Sequence, residues 1–432
     1  MLEHFDRTSL IVKDLVLIGG GHSHAIVLKM FGIKPLPGVR LTLISDVLHA
    51  PYSGMLPGHV AGFYGYDECH IDLRSLAEFA GCQILIDRAI AIDFNKNLVI
   101  CQTRPPVNFD LLSVDIGSTP ATLSVPGATA YAIAAKPVPE FLASWNQLIS
   151  ARQNHPQKPL RIAIVGGGAG GVELALNMQS RLGKEGNPPL PPRVEKREKK
   201  EQKSDKLSSE IHLFHSGAEL MPGHNKRVRR RLKEILISRG IKLHLMEKVS
   251  AIEKPETIDI EDNQECPMPN AQCPMPNAKI SCKSGLELEC DRIFWVTQAS
   301  AANWIGESGL AADSNGFMQV NDCLQSVSHP NVFGAGDIAA MVNYPRPKAG
   351  VFAVRQGKPL FENLQQFLLG KRLKPFAPQE QYLALIGTGN KRAIASRGSF
   401  MWESALLWYW KDWIDRQFMQ KFSNLPKTSN IK

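Results

Sequence analysis

LVLIGGGHSHAIVL, residues Leu15–Leu28, decides how the chain is read. Four aliphatic residues form a short buried strand, Gly19–Gly21 a tight turn, and the run that follows opens a helix. Such a turn leaves free N–H groups at a helix N-terminus, which is where a dinucleotide pyrophosphate binds. Gly19 and Gly21 match the first two glycines of G-x-G-x-x-G, while His24 stands in place of the third. An ordinary glycine-rich turn between strand and helix fits this stretch as well. Whether His24 faces a cofactor or packs the helix farther from the strand is open.

A second turn is stronger. RIAIVGGGAGGVELALNMQSRLG, Arg161–Gly183, places Gly166, Gly168 and Gly171 in full G-x-G-x-x-G register between a hydrophobic strand and a helical pattern. Each turn is followed by a strand whose end would hold a ribose. After the first, VRLTLISD (Val39–Asp46) offers Ser45 and Asp46, with Asp46 as a turn-capping surface residue being the plain alternative. After the second, IHLFHS ends on His215 and Ser216 with no carboxylate, which leaves NADH and NADPH both open.

At 432 residues, two or three domains are expected, and 44% hydrophobic residues supply apolar mass for their cores. The net charge of +9 admits an acidic ligand or an anionic membrane face, and part of it comes from one lysine-rich segment. Nucleic acid is not expected as a partner. The eight cysteines form no C-x-x-C, which argues against a thioredoxin-like dithiol and a zinc site, so no metal is expected. The N-terminus lacks a signal-peptide pattern and no apolar run is long enough to span a bilayer. A cytoplasmic protein is expected, with attachment to the inner face of a membrane left open.

Between the landmarks, HAPYSGMLPG is a Pro/Gly-dense loop that either folds over a cofactor or forms a rigid connection. Helices are expected at Leu73–Ala80 and Pro139–Arg152, and a strand in FDLLSVDIGSTP, Phe109–Pro120. Asn187–Glu210 reads as an exposed charged insertion, and Cys266–Ala278 as a proline-rich tandem heptapeptide in a hairpin tip or loop. HNKRVRRRLKEILISRG is a basic helix with Val228, Leu232, Ile235 and Leu236 on its apolar side. NVFGAGDIAAM, Asn331–Met341, reads as strand, glycine turn, Asp337 and helix, and YLALIGTGNKRAIAS as a strand. Met401–Phe422, rich in tryptophan with Lys411, Arg416 and Lys421, is a helix covering the protein, a subunit interface or a membrane-surface helix.

In their order, GGGHSH, LTLIS, APYSGMLPG, VDIGSTP, GGGAGGVELA, VFGAGD and PKAGVFAVRQG resemble the NADH dehydrogenase-like pyridine nucleotide–disulfide oxidoreductases, a branch sometimes fused to selenide, water dikinase. The resemblance spans most of residues 14–420. It implies an α/β fold of two Rossmann-like dinucleotide-binding domains, an FAD domain carrying an inserted NAD(P)H domain, plus a small C-terminal α+β module. The implied boundaries are 11–125 and 299–375 for the FAD domain and 126–298 for the NAD(P)H domain, the latter with insertions at 184–210 and 262–282. Residues 376–432 form the module.

The same resemblance implies the sites. Gly19, Gly21 and His22 would cradle the FAD pyrophosphate, and Ser45 or Asp46 would meet the adenosine ribose. Pro51, Gly54, Met55 and Gly117 would line the cofactor. Gly336 and Asp337 would hold its ribityl–pyrophosphate end, while Lys348 and Ala349 approach the isoalloxazine. Gly166, Gly168, Ala169 and Gly171 would carry NADH or NADPH, with Glu173 near the nicotinamide–flavin contact or, more plainly, as a first-turn residue favoured by the helix dipole.

The expected chemistry is hydride transfer to FAD and then to an unidentified second acceptor, the catalytic candidates being Glu173 and Lys348. Quinone is the acceptor the resemblance suggests, but Val351 and Arg355 depart from the quinone-reducing pattern and only Gln356 is retained. Ala299 also replaces a glycine common near the domain crossing. A non-catalytic nucleotide or redox sensor and a redox partner in selenium metabolism are the alternatives, and a homodimer is open.

Overall fold

A computed structural model describes residues 13–120, 125–154, 159–185, 209–254, 277–297 and 299–426. Most of the charged insertion at 184–210 and the two cysteines of the heptapeptide repeat lie outside them.

In chain order, the first unit supplies β1 (Lys13–Ile18), α1 (His22–Ile33), β2 (Val39–Ser45), β3 (Gln83–Ile86) and β4 (Leu111–Val114). The next segment supplies β5 (Ile133–Ala134), β6 (Leu160–Val165), α2 (Ala169–Glu185), β7 (Ser209–His215), α3 (Lys226–Ser238), β8 (Lys242–Leu245) and β9 (Arg292–Trp295). Then come β10 (Val332–Gly334) and α4 (Gly350–Leu368).

Two parallel five-stranded sheets result, ordered β10-β4-β1-β2-β3 and β5-β9-β6-β7-β8. In each, the strand before the glycine turn is central. Leu15–Ile18 and Ile162–Ile164 are buried on both faces, as the continuous aliphatic runs require; in the second sheet helices cover the Ile162 and Ile164 face and a three-stranded antiparallel sheet covers the Ala163 and Val165 face. The edge strand β10 rejoins the first sheet after the whole second sheet is built, so the second unit interrupts the first. α1 and α4 pack together, with Phe31 edge-on to Phe361.

The last segment, β11 (Ala384–Gly387), β12 (Ala393–Arg397), β13 (Phe400–Ser404) and α5 (Ala405–Ser423), is an antiparallel sheet with a helix across it. α5 buries Leu407 and Trp408 against Ala393 and Ala395. The Ser404 hydroxyl caps it by accepting the Leu406 N–H.

The helices at Leu73–Ala80 and Val138–Asn154 match expectation, and Val228, Leu232, Ile235 and Leu236 of α3 are all buried. Three readings need correction. The helix expected after Asp337 is a 3-10 turn, Gly336–Ile338, followed by a strand, Ala339–Met341, which pairs with Met318–Val320. The five apolar residues Ile338–Val342, closed off by Pro345 and Pro347, are too few for a helix, and one alternating strand face buries Ala339 and Met341. YLALIGTGNKRAIAS is a hairpin, β11 and β12, turning where Gly389 and Lys391 take positive φ. Met401–Ser404 belongs to β13, so the final helix begins only at Ala405.

Candidate cofactor site

The first turn is built by sterics. Gly19 has φ +90°, and a Cβ there would overlap the Asp115 carbonyl oxygen. A Cβ on Gly21 would overlap the Asp115 carboxylate. That carboxylate, 2% exposed, accepts the Ser23 and His24 N–H groups at 2.8 and 3.1 Å, the free amides at the start of α1. Burial pushes its pKa up to about 7 against the hydrogen bonds from His24 and Ser23. Asp115 stands inside VDIGSTP but was not singled out there; an acid at the end of a buried parallel strand was the available signal.

His24 does not face a cofactor. Its ring is fully buried, with Nδ1 2.7 Å from the Gly19 carbonyl oxygen and Nε2 2.8 Å from Ser113 Oγ. A carbonyl only accepts, so Nδ1–H donates to Gly19 and Nε2 accepts from Ser113. Burial lowers its pKa to about 4, keeping the ring neutral. The imidazole thus ties the turn to β4 where a third glycine would have allowed bare contact.

His22, the first residue of α1, lies edge-on to Tyr52 and Phe418. Its Nε2 is buried without a hydrogen-bond partner, and burial lowers the ring pKa to about 4. An orphaned buried nitrogen at the mouth of a glycine cradle fits a ligand that supplies the missing partner.

The structure brings Gly336, Asp337, Lys348 and Ala349 together around a cavity of about 280 Å³, with Gln356 and Phe352 behind them. The Asp337 carboxylate accepts Lys136 Nζ at 2.7 Å and Ser118 Oγ at 3.2 Å, and Lys136 also donates to Ser118. Burial alone would raise the Asp337 pKa; Lys136 outweighs it and holds the group ionised. Lys348 Nζ donates to the Ala339 carbonyl at 2.7 Å over the Phe317 ring, and burial lowers its pKa to about 8. Lys136 was missed, standing in a linker with no motif of its own. Gly117, φ +70°, turns the chain beside Ser118.

Ser45 is turned inward, its hydroxyl donating to the Val47 carbonyl. Asp46 faces outward and pairs with Arg88 at 2.9 Å. Of the two ribose candidates, Asp46 is therefore the accessible one.

In the second turn, a Cβ at Gly166 would overlap the Val296 carbonyl and one at Gly171 would overlap Gly166 itself, whereas Gly168 looks onto open space. The first and third glycines are there for packing and the second leaves room for a ligand. Ala169 opens α2, and its second-turn neighbour Glu173 accepts the Gly387 N–H of β11 at 2.7 Å. Burial raises the Glu173 pKa to about 7, opposed by Lys411. His215 ends β7 with Nε2 3.0 Å from the Glu219 carbonyl, and no carboxylate replaces it there.

Lys411 of α5 donates to the Gly54 carbonyl and to Asp415, both at 2.6 Å, and Tyr52 O–H donates to Asp415 at 3.1 Å. Pro51 and buried Met55 flank this junction. Glu173, Tyr52 and Lys411 thus bring the two nucleotide units and the C-terminal module to one place.

These two cradles match a pyridine nucleotide-disulphide oxidoreductase over residues 13–357. The chain belongs to that family. Ferroptosis suppressor protein 1 of Xenopus laevis is 26% identical over 387 residues, covering 84% of this chain and 83% of that protein. NADH dehydrogenase-like protein YutJ of Bacillus subtilis is 21% identical, covering 93% and 99%. Among solved structures, the sulfide:quinone oxidoreductase of Aquifex aeolicus superposes with a TM-score of 0.70 at 18% identity, covering 96% and 92%.

The protein is an FAD-dependent NAD(P)H oxidoreductase of the NADH dehydrogenase-like type. Its six described cysteines are all free thiols, and Cys69, Cys82 and Cys290 are each pushed up to about 12 by burial. Those three are poorly disposed to form thiolates. Among the described residues no helix is long and apolar enough to cross a membrane.

Proposed function

We propose that this oxidoreductase passes electrons from NAD(P)H to a quinone-class acceptor at a membrane surface. α5 presents two different sides. Phe418, Asp415 and Lys411 face the cradle, with Phe418 packed 4.6 Å from the Tyr52 ring. On another face Leu406, Tyr409, Trp410, Trp413 and Ile414 are 68, 56, 46, 59 and 37% exposed. Their spacing of three and four residues makes one apolar stripe, joined by Trp402 and Phe400 of β13. Exposed tryptophans with basic neighbours suit the boundary between headgroups and acyl chains. A lipophilic acceptor would then reach the flavin along the helix that covers it. The Aquifex aeolicus relative, a sulfide:quinone oxidoreductase, supports that acceptor class.

When bound, FAD takes hydride from the nicotinamide and yields the electron pair onward. The residues position and charge the site. Gly19, Gly21 and His22 would take the pyrophosphate, Asp46 the adenosine ribose, and Gly336–Asp337 the ribityl end. The start of α4 at Ala349, with the Lys348 ammonium beside it, would favour negative charge at the flavin ring. Gly168 and Ala169 would admit the NAD(P)H pyrophosphate. Glu173, pinned to β11, would set the nicotinamide against the flavin and, titrating near neutrality, hold or release a proton there.

The test is an acceptor panel of soluble quinone, oxygen, a dye and selenium compounds, run with and without anionic vesicles. Quinone should be reduced fastest, and vesicles should speed reduction of a lipophilic quinone. Oxygen or a selenium compound as the fastest acceptor, or no response to vesicles, contradicts the assignment.

A further inference from the structure

A dinucleotide diphosphate at a glycine turn takes the free amides at the start of the helix, here α1. In this chain two of those amides are taken. Asp115 Oδ2 accepts both the Ser23 and the His24 N–H, while the same carboxylate abuts the Cα of Gly21. Its Oδ1 lies against Gly336, where a Cβ would overlap it. One buried carboxylate therefore touches both glycine motifs of the FAD cradle.

A diphosphate carries two negative charges and needs the same amides. Two anions sharing one set of donors cannot both stay ionised in a desolvated pocket. The surroundings offer Asp115 little positive charge. From the Gly336–Ile338 turn, Asp337 repels it, and the Lys136 ammonium of the neighbouring loop is spent on Asp337. From α1, the His24 ring is neutral and turned to Gly19 and Ser113, and the His22 ring is neutral too. From α4, the neutral Gln356 accepts the Gly336 N–H at 2.7 Å, while Lys348 is bonded to Ala339. Protonation resolves the conflict: it removes the charge and turns Asp115 from an acceptor into an O–H donor.

We propose that Asp115 binds the diphosphate of FAD as a neutral carboxylic acid, so that flavin uptake by this chain carries one proton from solvent with it. The balance is an ionised Asp115, one proton and FAD going to protonated Asp115 with FAD bound. This rests on FAD occupying the cradle of residues 19–21 and 336–337. The flavin-free protein already holds the proton more tightly than an ordinary aspartate, because burial raises its pKa to about 7. The cost of binding therefore appears only in alkaline solution.

The test is calorimetric titration of the flavin-stripped full chain with FAD at about pH 6 and about pH 8.5, in buffers of different ionisation heat. Kd should rise roughly tenfold per pH unit above the Asp115 pKa, with close to one proton taken up at the higher pH. Asp115→Asn, which keeps an acceptor for the α1 amides, should bind FAD with a pH-independent Kd and no proton uptake, and tighter than wild type at about pH 8.5. FAD binding to wild type with equal Kd at both pH values and no proton uptake overturns the proposal alone. So does an Asp115→Asn chain that keeps the wild-type slope. Failure of wild type to bind FAD at either pH overturns the cofactor assignment as well. The wild-type proton count needs no variant to fold.

Discussion

His24 Nε2 lies 2.8 Å from Ser113 Oγ, so a buried imidazole bolts the first nucleotide turn to the strand beside it. Replacing His24 by glycine would restore the G-x-G-x-x-G string yet remove two buried hydrogen bonds and leave a void. His24→Gly should therefore destabilise the protein by about 2–5 kcal/mol in urea unfolding. The ring's pKa of about 4 lies below that of an unfolded histidine, so between those values the unfolded chain binds more protons. Stability from His24 should be lost as pH falls from about 6.5 to about 4, and that segment of the pH profile should flatten in His24→Gln.

Asp115 acts with the opposite sign. Its raised pKa means that the flavin-free folded chain binds more protons than the unfolded one between the ordinary carboxyl range and about pH 7. The flavin-free protein should lose stability as pH rises through that window. Asp115→Asn should melt higher than wild type at about pH 8 when both lack flavin, as read by circular dichroism.

Glu173→Gln should keep flavin content but slow flavin reduction by NAD(P)H. A charged hydrogen bond of about 1.5–3 kcal/mol corresponds to roughly 10- to 100-fold in rate. In wild type the rate should inflect near pH 7, where Glu173 titrates, and in Glu173→Gln that inflection should vanish. Stopped-flow reduction across pH reads both.

Trp410→Ser with Trp413→Ser should reduce sedimentation with anionic vesicles by at least about 100-fold, given roughly 1.5–3 kcal/mol for each large apolar side chain removed from water. Reduction of a water-soluble dye should be unchanged, because both side chains point away from the cradle.

The nucleotide units were legible because their signal is local. A strand, a steric need for glycine and a helix fall within about twenty consecutive residues, and Gly166 and Gly171 show the expected overlaps. What stayed hidden depends on contacts between distant segments. Nothing in VDIGSTP reveals that Asp115 meets amides 91 and 92 positions earlier, or in AAKPVPE that Lys136 reaches Asp337 across 201. The strand after Asp337 was misread because the unbroken apolar run Ile338–Val342 carries no period, and only its partner at Met318–Val320 makes it a strand. His24 was open for the same reason: its partner Ser113 lies on β4.

Bound FAD would relay electrons from nicotinamide to a quinone-class acceptor. Following the flavin's visible absorption anaerobically as NADH or NADPH is added, then a soluble quinone, reads both halves of that relay. Bleaching by about one equivalent of NAD(P)H and full recovery on adding quinone is the expected result. A flavin that stays oxidised with both nucleotides, or stays bleached after quinone while another acceptor restores it, would contradict the claim.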